Sequence, residues 1–241
     1  MCKIEVMKTV IIIPTYNEVE NIDRLLPSVF NNDVDILFID DASEDGTSQR
    51  IKQWMDRSER INLIHRPMKL GLGTAYVTGF KWALKRGYQY IFEMDADLSH
   101  DPLEIPNFIK KAQEGYALVI GSRYTRGTIS VVGWDFHRLL LSKFANKYAG
   151  TVLGLNFLTD ITSGYRCYHR SVIESIELDR IRSNGYAFQI EMVYRAYKKG
   201  FRIGEIPIIF YERNSGSSKM NRKIVREAAL MVWKLRFGRW K

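Results

Sequence analysis

Residues 9–41 read TVIIIPTYNEVENIDRLLPSVFNNDVDILFIDD. Thr9 to Ile13 is a β-branched apolar run ended by Pro14, the pattern of a strand buried in a parallel sheet. Asn17 with Glu20 three residues on predicts a helix N-cap with a capping box. Ile22, Leu25, Leu26, Val29 and Phe30 then follow helical spacing. Asp35 to Ile39 is a second strand, and Asp40-Asp41 sit at its carboxyl end. Strand, helix and strand joined by short connections predict parallel pairing.

The same alternation continues outward from this unit. Ser43 to Gly46 reads as a polar turn, followed by a helix from about Thr47 to Arg57. Ile61 to His65 is a third strand. Gly71-Leu-Gly73 opens a helix that Gly87 ends as a C-cap. Tyr90 to Met94 is a fourth strand, ending at Asp95; Pro102 to Glu114 is helical, and Ala117 to Ile120 is a fifth strand. The expected fold class is α/β, a mostly parallel central sheet with helices on both faces. The second half is less regular. Trp134 to Leu155 has helical spacing with Arg138, Lys143 and Lys147 interleaved. Tyr186 to Lys199 reads as an amphipathic helix and Phe201 to Tyr211 as a strand.

Composition narrows the class. The chain has 241 residues, 46% of them hydrophobic, which is enough for a full core. Cys2 and Cys167 are the two cysteines, so neither a disulfide framework nor zinc-type spacing is expected, and a reducing compartment is. The opening residues do not read as a signal peptide, and no stretch reaches the roughly 18 apolar residues of a membrane span. The net charge of +9 is uneven: 213–241 carries nine Lys or Arg against the single acid Glu227, while the rest is nearly neutral. This fits a juxtamembrane or anion-binding patch better than a nucleic-acid surface. Met220, Ile224, Ala228, Met231 and Leu235 form an apolar stripe there, joined by Trp233, Phe237 and Trp240 among Arg236, Arg239 and Lys241. Such a helix lies on a membrane surface or packs on the core with a solvated basic face.

Ligands of open α/β sheets bind beyond the carboxyl ends of the strands. Four segments converge there: Pro14 to Glu18, Asp40-Asp41, Asp95 to Asp97 and Gly121 to Tyr124. Asp95 and Asp97 are spaced to share one hard divalent cation, which prefers oxygen ligands and keeps positions open for substrate phosphates. Paired surface carboxylates are common, and it is their place after an apolar strand that favours a site. Tyr16 offers a ring to a nucleotide base. Asp40 and Asp41 repel each other unless something binds them, or else they cap the following helix. Arg123 presents a fork of donors suited to phosphate. Arg213 and Lys219 flank a flexible polar loop that could close on a diphosphate or simply be solvated.

These motifs together resemble glycosyltransferase family 2, and within it the polyprenol-phosphate (dolichol-phosphate) mannose synthases. The resemblance covers nearly all of residues 8 to 221. It rests on IIIPTYNEVENI (11–22), FIDDASEDGT (38–47), HRPMKLGLGTAYVTGF (65–80), MDADLSHDP (94–102) and GSRY (121–124). GWDFHRLLLSKFAN (133–146), DITSGYRCY (160–168) and RNSGSSK (213–219) complete the set. The resemblance implies a GT-A fold over 1–221 as a single catalytic domain, followed by a basic amphipathic helix over 222–241.

It further implies that Pro14, Tyr16, Glu18, Ile39 and Asp41 hold guanosine and ribose. Asp95, Ala96 and Asp97 match the metal and diphosphate site, with Mg²⁺ or Mn²⁺ as cofactor and Ser99 as a weaker candidate ligand. Arg123, Arg138 and Ser142 match positions gripping an acceptor phosphate, and Arg213 and Lys219 match a loop closing on the donor. Asp97 and Arg123 are the residues expected to carry catalysis. The implied reaction is inverting transfer of mannose from GDP-mannose to a polyprenyl (dolichyl) phosphate. The expected setting is the cytosolic face of a membrane, reached by surface contact or through a partner subunit, with no role for nucleic acid. A phosphate monoester, with a second pKa of about 6, is already a nucleophilic anion, so no general base is required. Glu191 is the fallback base, though a polar position on an amphipathic helix explains it better. The competing readings are another donor such as UDP-glucose, an aspartate-nucleophile phosphatase, and a basic non-enzymatic lipid- or nucleic-acid-binding protein.

Overall fold

The computed structural model describes residues 8–181, 183–212 and 222–238, without the side chains of residues 126 and 222–228. Strands β1 (Thr9–Thr15), β2 (Asp35–Asp40), β3 (Ile61–His65) and β4 (Tyr90–Glu93) alternate with helices α1 (Val19–Phe30), α2 (Thr47–Met55) and α3 (Leu72–Lys85). Helix α4 (Ile105–Gln113), preceded by a 3₁₀ turn at Pro102–Glu104, leads to β5 (Leu118–Ser122). Beyond it come β6 (Val131–Val132), α5 (Phe136–Leu153), β7 (Arg166–His169), α6 (Arg170–Ser175), α7 (Tyr186–Lys198), β8 (Ile203–Pro207), β9 (Phe210–Tyr211) and α8 (Arg222–Phe237).

Seven strands form one sheet in the order β3-β2-β1-β4-β7-β5-β8. All pairings are parallel except those of β7, which runs antiparallel to both β4 and β5. The chain winds outward from β1 to β3 and then crosses back to place β4 on the other side of β1. The carboxyl ends of β1 and β4 therefore flank a topological switch point, where a crevice opens in this kind of sheet. Ile11, Ile13, Phe38 and Phe92 fill the core on one face, and Val10, Ile12, Leu37 and Ile91 fill it on the other. Both faces are buried, as the unbroken apolar runs of these strands require.

Three expectations change in detail. The N-cap of α1 is Glu18, and neither it nor Asn17 forms a capping box. Asn17 instead adopts a left-handed backbone, φ 59°. The free N–H groups around the start of α1 find partners in the loop after β2: those of Asn17, Glu18 and Val19 donate to Ser43 Oγ, Thr47 Oγ1 and Asp45 Oδ2. Asn17 Oδ1 accepts from Glu44 N–H in return. Second, the stretch 201–211 is two strands. β8 ends at Pro207, which has no N–H to extend a ladder, and β9 pairs with β6 in a separate two-stranded sheet. Third, α5 begins at Phe136, because the Asp135 side chain accepts from Arg138 N–H at 2.9 Å and sets the start there. Gly87, at φ 77°, lies just past α3 and ends it as expected.

Helix α8 packs on the core through buried Val232 and Leu235, and Tyr148 Oη donates to Ala229 O. Met231 is half-buried, while Leu230, Trp233 and Phe237 are exposed. One face of the helix thus packs on the core, and the other carries exposed apolar side chains. Met220, Arg239, Trp240 and Lys241 lie outside the described residues, as do the Ile224 and Ala228 side chains. No helix among the described residues is long and apolar enough to cross a membrane.

Close packing of α3 on the sheet depends on Gly79, where an added Cβ would sit 2.6 Å from Ile12 Cγ2. Gly79→Val is expected to lower unfolding free energy by about 1–3 kcal/mol in urea denaturation. A change below about 0.5 kcal/mol would show that the helix can lift off the sheet at no cost.

Candidate active site

A cleft of about 420 Å³ opens at the carboxyl ends of β1, β2 and β4. Pro14, Tyr16, Glu18, Asp41, Asp95, Ala96, Asp97, Arg123 and Arg138 all line it, so nine of the residues named from sequence meet in one place. Three others do not. Ile39 is fully buried in the core, Ser99 is buried outside the lining, and Ser142 lines a neighbouring cavity. Arg213 and Lys219 lie outside the described residues. The backbone is strained in the loops near the cleft: Asn17, Ala42 and Leu98, in the segments that follow β1, β2 and β4, are the positive-φ residues other than glycine among the described residues.

The acidic side of the cleft is built with internal support. Ser99 donates both its N–H (3.0 Å) and its hydroxyl (2.5 Å) to Asp97 Oδ1. It therefore orients a carboxylate from behind, from outside the cleft lining. His100 accepts from Asp95 N–H at 3.1 Å and stacks on Tyr165 with ring centroids 4.8 Å apart. Among the described residues no group of three or more His, Cys, Asp or Glu gathers to hold a metal. Two carboxylates on one cleft wall, with the rest of a coordination shell left to water and substrate, is the donor set that suits Mg²⁺ or Mn²⁺ with a bound phosphate.

Asp40 and Asp41 are neutralised by the protein itself. Thr15, Ser43 and Ser48 hydroxyls donate to Asp40, which is fully buried and also meets His65 Nδ1 at 2.9 Å. Burial pushes the Asp40 carboxyl up, but these hydrogen bonds outweigh it and hold the pKa below the usual carboxylate range. Asp41 pairs with Arg66 and accepts from the N–H groups of Leu70 and Gly71 at 3.2 Å. Asp45, rather than Asp40 or Asp41, accepts from Thr47 N–H at the start of α2.

The cleft is also lined by two arginines. Arg123 is 4% exposed and gives a two-pronged contact to Asp160, Nε to Oδ2 at 2.6 Å and Nη2 to Oδ1 at 2.7 Å. Burial works against its charge, but attraction and hydrogen bonding to Asp160 win and raise its pKa. Nη2 also donates to Thr162. Arg138 pairs with Glu212 at 2.5 Å, and the Trp134 ring lies near both guanidiniums, 5.1 Å from Arg123 and 4.3 Å from Arg138. Lys69, also in the lining, stands 3.4 Å over the Tyr16 ring. Glu191 is buried off the cleft, bonded to Ser183 and paired with Arg195. It is a structural link between two parts of the fold and does not face the site as a base.

Sequence reasoning missed Lys69, Trp134, Asp160, Thr162, Tyr186, Gln189 and Phe210, all near or on the cleft. Asp160 and Thr162 lay inside a quoted motif but had no partner assigned. Their partner Arg123 is 37 positions from Asp160, a distance no local pattern spans. Gly71 and Gly73 carried a readable signal. An added Cβ at Gly73 would lie 2.4 Å from Ser183 O, so the glycines admit the loop before α7, and Asn184 Oδ1 accepts from Gly73 N–H at 2.9 Å.

Comparison with known proteins agrees with this architecture. A curated relative from Mycolicibacterium smegmatis, named polyprenol monophosphomannose synthase, is 44% identical over 234 residues, covering 95% of this chain and 88% of that one. An undecaprenyl-phosphate mannosyltransferase from Micrococcus luteus is 43% identical over 240 residues, covering 97% and 96%. Among solved structures, glucosyl-3-phosphoglycerate synthase from Mycobacterium tuberculosis, in complex with Mn²⁺ and UDP-glucose, superposes with a TM-score of 0.71 at 16% identity, covering 96% of this chain and 79% of that one. At that identity the likeness speaks to the fold, which is the GT-A fold expected from sequence. The model of the family described as "Glycosyl transferase family 2" matches residues 10–177. With more than two thirds of the chain inside that match and relatives above 40% identity over nearly its full length, the protein belongs to glycosyl transferase family 2.

Proposed function

We propose that this protein transfers mannose from GDP-mannose to a polyprenyl (dolichyl) phosphate, with inversion at the sugar C1. The observation that carries the reading is the polarity of the cleft. Asp95 and Asp97 form one wall, and Arg123 and Arg138 face the same space. A nucleotide diphosphate needs a cation between itself and carboxylates, and a phosphate acceptor needs fixed cations of its own. One cleft supplies both. The names of the two mannosyltransferase relatives support the sugar and the acceptor class.

In this reading Pro14, Tyr16, Glu18 and Asp41 seat the guanosine, and Asp95 and Asp97 would hold Mg²⁺ or Mn²⁺. Bound there, the ion supplies charge neutralisation for the departing diphosphate. Ser99 keeps Asp97 in position. Arg123 and Arg138 orient the acceptor phosphate, whose oxygen attacks C1 as the bond to GDP breaks. Arg123 is rigid because Asp160 fixes it; Glu205 in turn anchors Asp160 by accepting from its N–H at 2.8 Å. Arg138 is held by the more exposed Glu212 and can exchange that partner for a phosphate. An acceptor already anionic at neutral pH needs no proton removed, which agrees with the absence of Glu191 from the cleft. A lipid acceptor places the protein at a membrane surface, on the cytosolic face, by direct contact or through an anchoring subunit. The protein that superposes here was solved with UDP-glucose, so the donor is the point to test first.

Thermal shift with GDP, GDP-mannose and UDP-glucose, each with and without Mn²⁺, is expected to show metal-dependent stabilisation by the two guanosine ligands alone. Stabilisation by UDP-glucose would move the donor, and no response to any nucleotide would sink the transferase reading. Asp97→Ala should lower transfer by about a hundredfold or more with a cooperative melt retained. Substantial residual turnover would remove Asp97 from the metal site. Arg138→Ala should raise the acceptor KM about tenfold with the donor KM nearly unchanged; equal loss for both would undo the assignment. Asp160→Ala leaves Arg123 buried without its counter-charge and should cost about 3–5 kcal/mol in denaturant unfolding. A loss under about 1 kcal/mol would show that Arg123 finds solvent instead.

A further inference from the structure

Gln189 stands in the first turn of α7 and lines the cleft although it is only 2% exposed. Its carboxamide lies beside the Glu93 carboxyl, which is fully buried. Neither amide atom of Gln189 and neither oxygen of Glu93 has a hydrogen-bond partner. The backbone at this point is pinned. Arg166, itself fully buried, donates from Nη1 to the Gln189 carbonyl at 2.7 Å, and Phe188 and Ile190 on either side are packed in the core. A buried amide left unmatched costs free energy that a ligand can return. A Cβ added at Gly164 would lie 3.8 Å from Gln189 Nε2, 3.8 Å from Asp95 Oδ2 and 3.7 Å from His100 Cε1. Two residues before this glycine, Thr162 accepts from Arg123 Nη2 at 2.9 Å. The amide thus meets the cleft where the segment carrying Asp95 and the loop that holds Arg123 come together.

We propose that Gln189 binds a hydroxyl of the transferred sugar and so helps to select which hexose the cleft accepts. The inference rests on the sugar-transfer reading above and deepens it by naming a specificity-determining residue. In that reaction the sugar lies between the departing diphosphate, at Asp95 and Asp97, and the attacking phosphate, at Arg123 and Arg138. The carboxamide adds no charge for a cation or a phosphate. It presents a donor and an acceptor side by side, and one secondary hydroxyl, itself both donor and acceptor, matches the pair. Such a site discriminates sharply, because an analogue lacking the hydroxyl leaves the buried amide unmatched. Gly164, by having no side chain, keeps open the space that the hydroxyl needs.

The test is a cycle on the full chain. It compares kcat/KM for GDP-mannose and its 2-, 3-, 4- and 6-deoxy analogues in the unaltered protein and in Gln189→Leu, which keeps the side-chain bulk and removes the amide. One deoxy donor is expected to lose about a hundredfold or more with the unaltered protein. Gln189→Leu should lose a similar factor with GDP-mannose and nothing further when that same hydroxyl is absent, since both changes remove one interaction. Its affinity for GDP alone should stay within about twofold of the unaltered protein's. Losses that multiply for every deoxy donor, or a GDP affinity that falls as far as transfer does, would overturn the assignment and leave Gln189 a packing residue. If Gln189→Leu does not melt cooperatively, Gly164→Ala decides. Its methyl meets the protein at ordinary contact distances but occupies the space beside the amide, so GDP binding should persist while transfer falls about tenfold or more. Unchanged transfer would sink the proposal. The two readings fail separately. Transfer from GDP-mannose with multiplying losses leaves the function and removes Gln189. Transfer from UDP-glucose instead moves the donor, and the same cycle with deoxy UDP-glucoses still decides Gln189; no transfer from either donor overturns both.

Discussion

Asp40, Asp41, Asp95, Asp97 and Asp160 crowd one edge of a single sheet, and like charges held that close must each be compensated. Much of the local structure consists of the different ways this is done. Asp40 is surrounded by hydroxyls, Asp41 by Arg66 and two N–H groups, and Asp160 by Arg123. Asp95 and Asp97 face the cleft. The result is a cleft in which most of the nearby acid is scaffolding, and the part oriented towards open space is small. Arg166, fully buried, extends the scaffold below the cleft by donating to the carbonyls of Ser163, Ile161 and Gln189. It holds the 160–165 loop, and so the position of Asp160, by backbone contacts that no side-chain pattern announces.

The parts that were legible from sequence are those whose cause is local. A run such as Thr9 to Ile13 followed by Pro14 can do little but form a buried strand and stop. The acids at strand ends gather because parallel strands place their carboxyl ends along one edge. What was not legible has causes distant in sequence. β7, the one antiparallel strand in the main sheet, opens with Arg166 and spans four residues, so neither length nor apolar pattern marked it. Ile39 lies two positions before the cleft residue Asp41, but its side chain is fully buried in the core under α3, a packing that its place in the motif does not announce. The repulsion between Asp40 and Asp41 was read correctly as needing a partner, but the partners are other parts of the chain. The capping box failed because a neighbouring loop offered the start of α1 better acceptors than its own Asn17 and Glu20.

Arg123 and Arg138 differ in how they are held, and the difference matters for the chemistry. A guanidinium buried against its counter-ion is fixed in place and contributes geometry, while one paired with an exposed carboxylate can change partners as substrate arrives. In the proposed reaction an acceptor phosphate would meet one donor set already oriented and a second free to complete the grip, and orientation would count for more there than added charge alone, because an attacking oxygen must lie in line with the leaving group.

The loop after β2 supplies the acceptors that the start of α1 lacks: Ser43, Asp45 and Thr47 serve the N–H groups of Asn17, Glu18 and Val19, and Asn17 answers by binding Glu44. For anyone recombining this domain with a relative, the two loops are one inheritable module. Exchanging either alone would leave a helix start without its caps and one side of the cleft without its backing, so a chimaera should carry 14–19 and 40–48 from the same parent.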